Sequence, residues 1–213
     1  MAFKEFSDDH PKAKLMARKR MAILAAAKDS FLRLGYGSTS MEAIAASADV
    51  SIATLYRHAE SKDDLFAAVI ANACGPNDEG EKAEYERLMG KPLFDVLVAF
   101  GVRFQQRLAQ QDTVALMRAV MAEISRFPEL GGIAYRGFIG RFERMTDLLL
   151  GAKDEASGVS KSDRNKLSAL FVDRLFGADM FRVLLGLDGT SRADQKARAE
   201  RAASEVMSRI RQG

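Results

Sequence analysis

The sequence predicts an all-α protein, and three observations carry that reading. Apolar residues recur at three- and four-residue intervals through most of the chain. Hydroxyl residues that suit helix N-caps, and Gly or Pro residues that stop helices, fall between those runs. No stretch alternates apolar and polar residues as a half-buried strand would, and no internal repeat or low-complexity tract breaks the pattern. About nine helices follow from this spacing. They group into two domains, residues 1–75 and residues 76–213.

The 213 residues are long enough to bury a substantial core without metals or disulfides. The single cysteine, Cys74, forbids an internal disulfide and fits a reducing cytoplasm. It reads more simply as a small hydrophobe near a helix end than as a redox sensor. The only histidines are His10 and His58, so neither a zinc site nor a nucleophile–histidine pair is legible. No Gly-rich phosphate loop follows a strand. An enzyme is therefore disfavoured, with no catalytic residue, metal or cofactor expected. No apolar run approaches the roughly 20 residues that span a membrane, and the N-terminus does not read as a signal peptide. The expected location is the cytoplasm.

In chain order, residues 12–34 read as a first helix with Leu15, Ile23, Ala26, Ala27, Phe31 and Leu34 as its stripe, stopped by Gly35 and Gly37. Thr39 suits the N-cap of a second helix, with Glu42 closing a capping box and Met41, Ile44, Ala45 and Ala48 on its apolar face. Asp49 falls where a tight turn wants left-handed backbone. Ser51 caps a short third helix holding Ile52, Leu55 and Tyr56, and Ser61 with Asp64 repeats the capping signature for a fourth that runs to about Cys74. Gly75-Pro76-Asn77 and Gly90-Lys91-Pro92 are breaks around a possible short helix at 81–89. Pro92 suits the first turn of the next helix.

From there helical runs cover about 93–109, 113–125 and 133–150, then a polar connector at 151–162. Two long helices close the chain at 164–187 and 191–211. The first is apolar nearly all round and must be covered on several sides; Ala199, Ala203, Val206 and Ile210 stripe the second.

Charge adds one directional hint. The net charge is only +3, but no acid falls between Asp9 and Asp29, while Lys12, Lys14, Arg18, Lys19 and Arg20 do. A basic lead-in to a nucleic-acid-binding unit would meet phosphates; the plain alternative is a solvated terminus.

Two short helices joined by a tight turn form a helix-turn-helix, here about residues 39–58, whose second helix enters the DNA major groove. The string TSMEAIAASADVSIATLYRHAESKDDLF, residues 39–66, resembles the DNA-binding signature of TetR/AcrR-type transcriptional regulators in order, spacing and residue class. Asp49 and Ala53 stand where that family often has Gly, and Ala59 where it usually has Phe. A second, looser resemblance to C-terminal domains of such regulators lies in RAVMAEISRFPEL, residues 118–130.

The resemblance implies DNA contacts from Thr39, Ser51, Ile52, Ala53, Thr54, Tyr56, Arg57, His58 and Lys62. Tyr56, His58, Thr39 and Lys62 match positions that meet the backbone, and Ile52 and Ala53 positions that approach bases. Each has a plain alternative: Tyr56 covering the core, His58 solvated, Lys62 decorating a cap. The resemblance further implies a homodimer through residues 164–187 and 191–211, where Ala169, Gly177 and Ala178 would permit close helix approach. It implies a repressor of a palindromic double-stranded operator, released by a small apolar effector. Phe94, Phe104, Met117, Met121, Phe138, Phe142 and Met145 could line the effector cavity, with Gln105, Arg118 and Tyr135 as polar anchors. Such a Met/Phe stripe is also what an ordinary core looks like. A helical adaptor without DNA binding is the competing non-enzymatic reading, hinted at only by Asp49 and Ala59.

Overall fold

A computed structural model describes residues 11–74, 87, 90–189 and 191–212. Every element among them is helical. The chain forms α1 (Pro11–Ser38), α2 (Met41–Ser47), α3 (Ile52–Tyr56), α4 (Lys62–Cys74), α5 (Leu93–Leu108), α6 (Gln111–Glu123), α7 (Glu129–Tyr135), α8 (Arg141–Gly151), α9 (Lys161–Leu184) and α10 (Arg192–Gln212). A π-turn, Arg136–Gly140, joins α7 to α8, and taken as one rod these leave nine helices among the described residues. The expected helix at 81–89 and the Cys74, His10, Lys12 and Lys14 side chains lie outside the described residues.

Contacts divide the chain into two compact units. One comprises Met1–Asn72 with Ala119–Ile133, the other Ala73–Arg118 with Ala134–Gly213. The first thus includes a segment far along the chain, which a single boundary near residue 75 does not foresee.

In the first unit α1 buries Ile23, Leu24, Ala27 and Phe31. Leu15 and Leu34, expected in that stripe, are instead 52% and 48% exposed; Leu34 faces outward although Phe31 and Tyr36 on either side of it are buried. An aromatic cluster sits within this mostly aliphatic core: Phe31 meets the Phe66 ring edge-on at 4.9 Å and stacks on Tyr36 at 5.7 Å. Gly35 takes φ +80 and breaks the helical path of α1, so the stop falls where the sequence places it, with a short turn continuing to Ser38.

In the second unit α5 packs between α9 and α10. Gly101 makes this possible: a Cβ there would lie 3.0 Å from Leu175, 3.1 Å from Ala199 and 3.2 Å from Phe171. Overpacking of that kind costs about 1–3 kcal/mol. Gly101→Val is therefore expected to lower the melting temperature in a thermal scan; an unchanged melt would show that α5 can move aside.

The polar connector has structure of its own. It holds a 3₁₀ turn, Asp154–Ala156, from which Glu155 accepts the backbone N–H of Leu93 at 2.9 Å. The start of α5 is capped from 62 residues away, since Pro92 has no side-chain cap to offer. Helix α9 starts three residues before its expected position, where the Ser160 hydroxyl accepts from Asp163 N–H, and it kinks at Gly177 (φ +50). Gly177 serves the backbone there: a Cβ would lie 3.1 Å from Arg198, whose guanidinium pairs with Asp179.

Candidate nucleic-acid interface

The α2–α3 unit is held by local chemistry that can be followed atom by atom. Helix α2 ends in a Schellman motif: Asp49 N–H donates to Ala46 O at 3.2 Å, and Val50 N–H to Ala45 O at 3.0 Å. That motif needs a left-handed residue, and Asp49 supplies it at φ +52. Ser51 then caps α3, its hydroxyl accepting the Thr54 N–H at 3.2 Å. Leu55 is completely buried and locks α3 against the rest of the unit. Ser61 caps α4, its hydroxyl accepting the Asp64 N–H at 3.1 Å and donating to the Asp64 carboxylate at 2.8 Å; the expected cap is present, with the carboxylate held by the hydroxyl in place of the backbone N–H of a capping box.

The N-cap of α2 differs from expectation. It is Ser40, whose hydroxyl accepts from Ala43 N–H at 3.1 Å, and not Thr39. Thr39 is 3% exposed and turns inward, donating to Gly35 O at 2.8 Å and Ser30 O at 3.2 Å. The kink at Gly35 brings those carbonyls within reach and takes Thr39 away from the cap.

The nine candidate residues divide accordingly. Ser51, Ile52, Ala53, Tyr56 and Arg57 are exposed on and beside α3, and His58 is half-buried at its end. Thr54 is buried, sharing its hydroxyl with Ser51 at 2.9 Å and accepting Arg57 Nη2 at 3.2 Å. Lys62 Nζ donates to Tyr36 O at 3.0 Å and Thr39 O at 3.1 Å, and lies 4.4 Å from the Tyr36 ring centroid. Two of its three protons are committed to the backbone between the Gly35 kink and the start of α2. Tyr36 joins this cluster by donating its hydroxyl to Asp63, and burial together with that carboxylate pushes its pKa up. Sequence reasoning passed over Tyr36, because nothing local marks a loop tyrosine as an anchor.

His58 sits amid positive charge. Burial pushes its pKa below the usual value, and Arg20, Arg57 and Lys19 push it further the same way. A folded histidine that holds its proton less tightly than the unfolded chain loses stability as pH falls below about 6.5. His58→Gln is expected to soften that loss, read as a smaller drop in melting temperature between pH 7.5 and 5.5. Equal drops in both proteins would show that His58 does not contribute.

Of the ten candidate effector residues, Met121 falls in the first unit and the other nine in the second. Phe104, Phe138 and Phe142 are buried, with the Phe104 and Phe142 rings edge-to-face at 4.5 Å. Phe94 and Met145 are half-buried and Met117 is buried. Tyr135 is exposed and donates to Glu143, and Arg118 caps the end of α9 through Val183 O and Leu184 O. Gln105 alone of these lines a small cavity of about 30 Å³, together with Leu108, Leu175, Phe176, Met180 and Val183. That space holds roughly two water molecules.

The comparisons with known proteins decide the family. Residues 23–69 match the bacterial regulatory proteins of the tetR family, and residues 95–209 match the C-terminal domain of AefR-like transcriptional repressors. This chain belongs to the TetR family. The TetR fold extends over solved structures as well. A TetR-family regulator from Mesorhizobium loti superposes with a TM-score of 0.66 at 22% identity, over 91% of this chain and 96% of that one. The flavonoid-responsive regulator FrrA gives 0.64 at 25% identity, over 91% and 97%. NalD of Pseudomonas aeruginosa, the secondary repressor of the MexAB-OprM multidrug efflux pump, gives 0.50 at 22% identity, over 91% and 95%. No curated protein matches the chain. As a TetR-family member it is a transcriptional regulator with an N-terminal DNA-binding domain, not an enzyme. Among the described residues no helix is long and apolar enough to cross a membrane, and no group of side chains could hold a metal ion.

Proposed function

We propose that this protein is a homodimeric repressor that binds a palindromic operator and is released by a small, largely apolar effector. The observation that carries the DNA-reading part is the exposed set Ser51, Ile52, Ala53, Tyr56 and Arg57 on a short helix whose other face is anchored by Leu55. Tyr56, Arg57 and His58 meet phosphates, Ile52 and Ala53 touch thymine methyl groups, and Thr39 and Lys62 act from behind by shaping the loop. Residues 1–75 read DNA, and residues 76–213 sense the effector and dimerise.

Dimerisation through 164–187 and 191–211 is supported by Phe181, Leu185 and Leu187, which are 65%, 73% and 53% exposed at the end of α9. Large apolar side chains gathered at one helix end mark a contact surface. A twofold dimer then reads half-sites spaced by whole helical turns.

The match to AefR-like repressors supports repression, and the likeness to FrrA favours an aromatic effector. The effector lies among the helices that carry Phe104 and Phe142, and the cavity beside Gln105 is too small to hold it. Sedimentation of the protein with a bound duplex tests the assembly, and addition of a flavonoid tests release. Two protomers per duplex, dissociated by the flavonoid, are expected. A monomer on DNA would overturn the dimer, and flavonoid-insensitive binding would overturn the aromatic effector.

A further inference from the structure

We propose that the corner from Glu123 to Phe127, far from the DNA-binding signature in sequence, positions helix α2 for operator recognition. The inference rests on the DNA-binding reading above and names residues that act on the interface without touching it.

The turn from the Gly35 kink in α1 to the start of α2 is short, and its geometry depends on what fills the space beside it. Gly35 and Gly37 leave room that the corner occupies. A Cβ on Gly35 would lie 2.6 Å from Glu123 Oε1, and one on Gly37 would lie 3.1 Å from Phe127 Cε2. Glu123 Oε1 accepts the Gly37 N–H at 3.5 Å, across 86 residues of chain. The Phe127 ring meets Tyr36 edge-on at 5.2 Å. Lys62 Nζ, which holds the carbonyls of Tyr36 and Thr39, lies 5.9 Å from the Phe127 centroid.

The consequence runs through Tyr36. Its ring is held between Phe31, Phe66 and Phe127, its carbonyl by Lys62, and its hydroxyl by Asp63. Thr39 and the cap residue Ser40 follow three and four residues later, so the placing of Tyr36 sets where α2 begins. Removing Phe127 frees one side of the ring and leaves the basic residues near DNA unchanged. Specific recognition, which needs α3 at a fixed pose, should suffer; nonspecific phosphate attraction should not. The motif RFPEL, which the DNA-binding role leaves unexplained, acquires a purpose: its Phe packs against the reading head and Pro128 ends the corner.

Phe127→Ala tests this, with Phe127→Tyr as the conservative variant. Expected for Phe127→Ala is about tenfold weaker operator binding, the equivalent of one lost aromatic contact, with nonspecific affinity and salt dependence at wild-type values. Phe127→Tyr restores most of the operator affinity. Backbone hydrogen exchange at residues 36–44 speeds up in Phe127→Ala alone. Equal losses of operator and nonspecific binding would mark a merely structural residue and overturn the proposal, as would unchanged exchange at 36–44.

Should Phe127→Ala fail to fold, Glu123→Gln weakens the Gly37 contact at constant size. It is expected to cost about threefold in operator affinity, one weakened hydrogen bond, and unaltered affinity would overturn the proposal. The exchange measurement needs no operator. Wild-type protein without sequence preference would therefore bring down the repressor reading, while exchange still decides whether the corner holds α2.

Discussion

Leu55→Ala is expected to melt the helix-turn-helix and abolish operator binding. Helix α3 has five residues, too few to persist on propensity alone, so its place depends on tertiary packing. Leu55 supplies that packing. Its side chain is fully buried, and its carbonyl accepts the N–H groups of His58 at 2.8 Å and Ala59 at 3.1 Å, closing the helix end.

Truncating a buried Leu costs about 2–5 kcal/mol, a large part of the roughly 5–15 kcal/mol by which whole domains are stable. A fall of about 4–20 °C in the melting transition is expected, with loss of specific DNA binding. A wild-type melt with wild-type affinity would show that α3 is held by something other than its leucine.

Lys62→Ala separates two accounts of one residue. By family resemblance Lys62 is a phosphate contact; by its geometry it is also the tie between the α1–α2 loop and the start of α4. Hydrogen bonds to a charged group contribute about 1.5–3 kcal/mol, reduced here because Lys62 is only half-buried. The cation above Tyr36 adds roughly 0.5–1 kcal/mol. A loss near 2 kcal/mol is therefore expected on the basis of these pairings. Operator affinity should fall more than tenfold, since Tyr36 and Thr39 lose their anchor.

Lys62→Met keeps the aliphatic stem and removes only the charge. If the tie is what matters, Met and Ala should both lower the melting temperature. A variant that melts normally yet binds DNA weakly would show Lys62 acting on phosphate alone.

Both predictions turn on what was legible in the sequence. Caps were readable where donor and acceptor lie three residues apart: Ser51 with Thr54, Ser61 with Asp64. So was the left-handed turn at Asp49, because few residues other than Gly tolerate that backbone. Thr39 and Ser40 could not be separated. Both are hydroxyl residues at the same helix start, and the choice is made by carbonyls of α1 delivered by a kink.

Interactions across long stretches of chain left no local mark. Glu155 capping α5 and Phe127 packing on Tyr36 need the fold before they can be seen. The effector site was the least legible part. Phe and Met at helical spacing describe a cavity and a filled core equally well, and here Phe104 and Phe142 close on each other.

The most direct test of a sequence-reading dimer is selection of bound duplexes from a random pool at near-physiological salt. Enrichment of one palindrome, with half-sites a whole number of helical turns apart, is the predicted result. Enrichment of no sequence, with binding that only fades as salt rises, would contradict it and leave phosphate attraction alone.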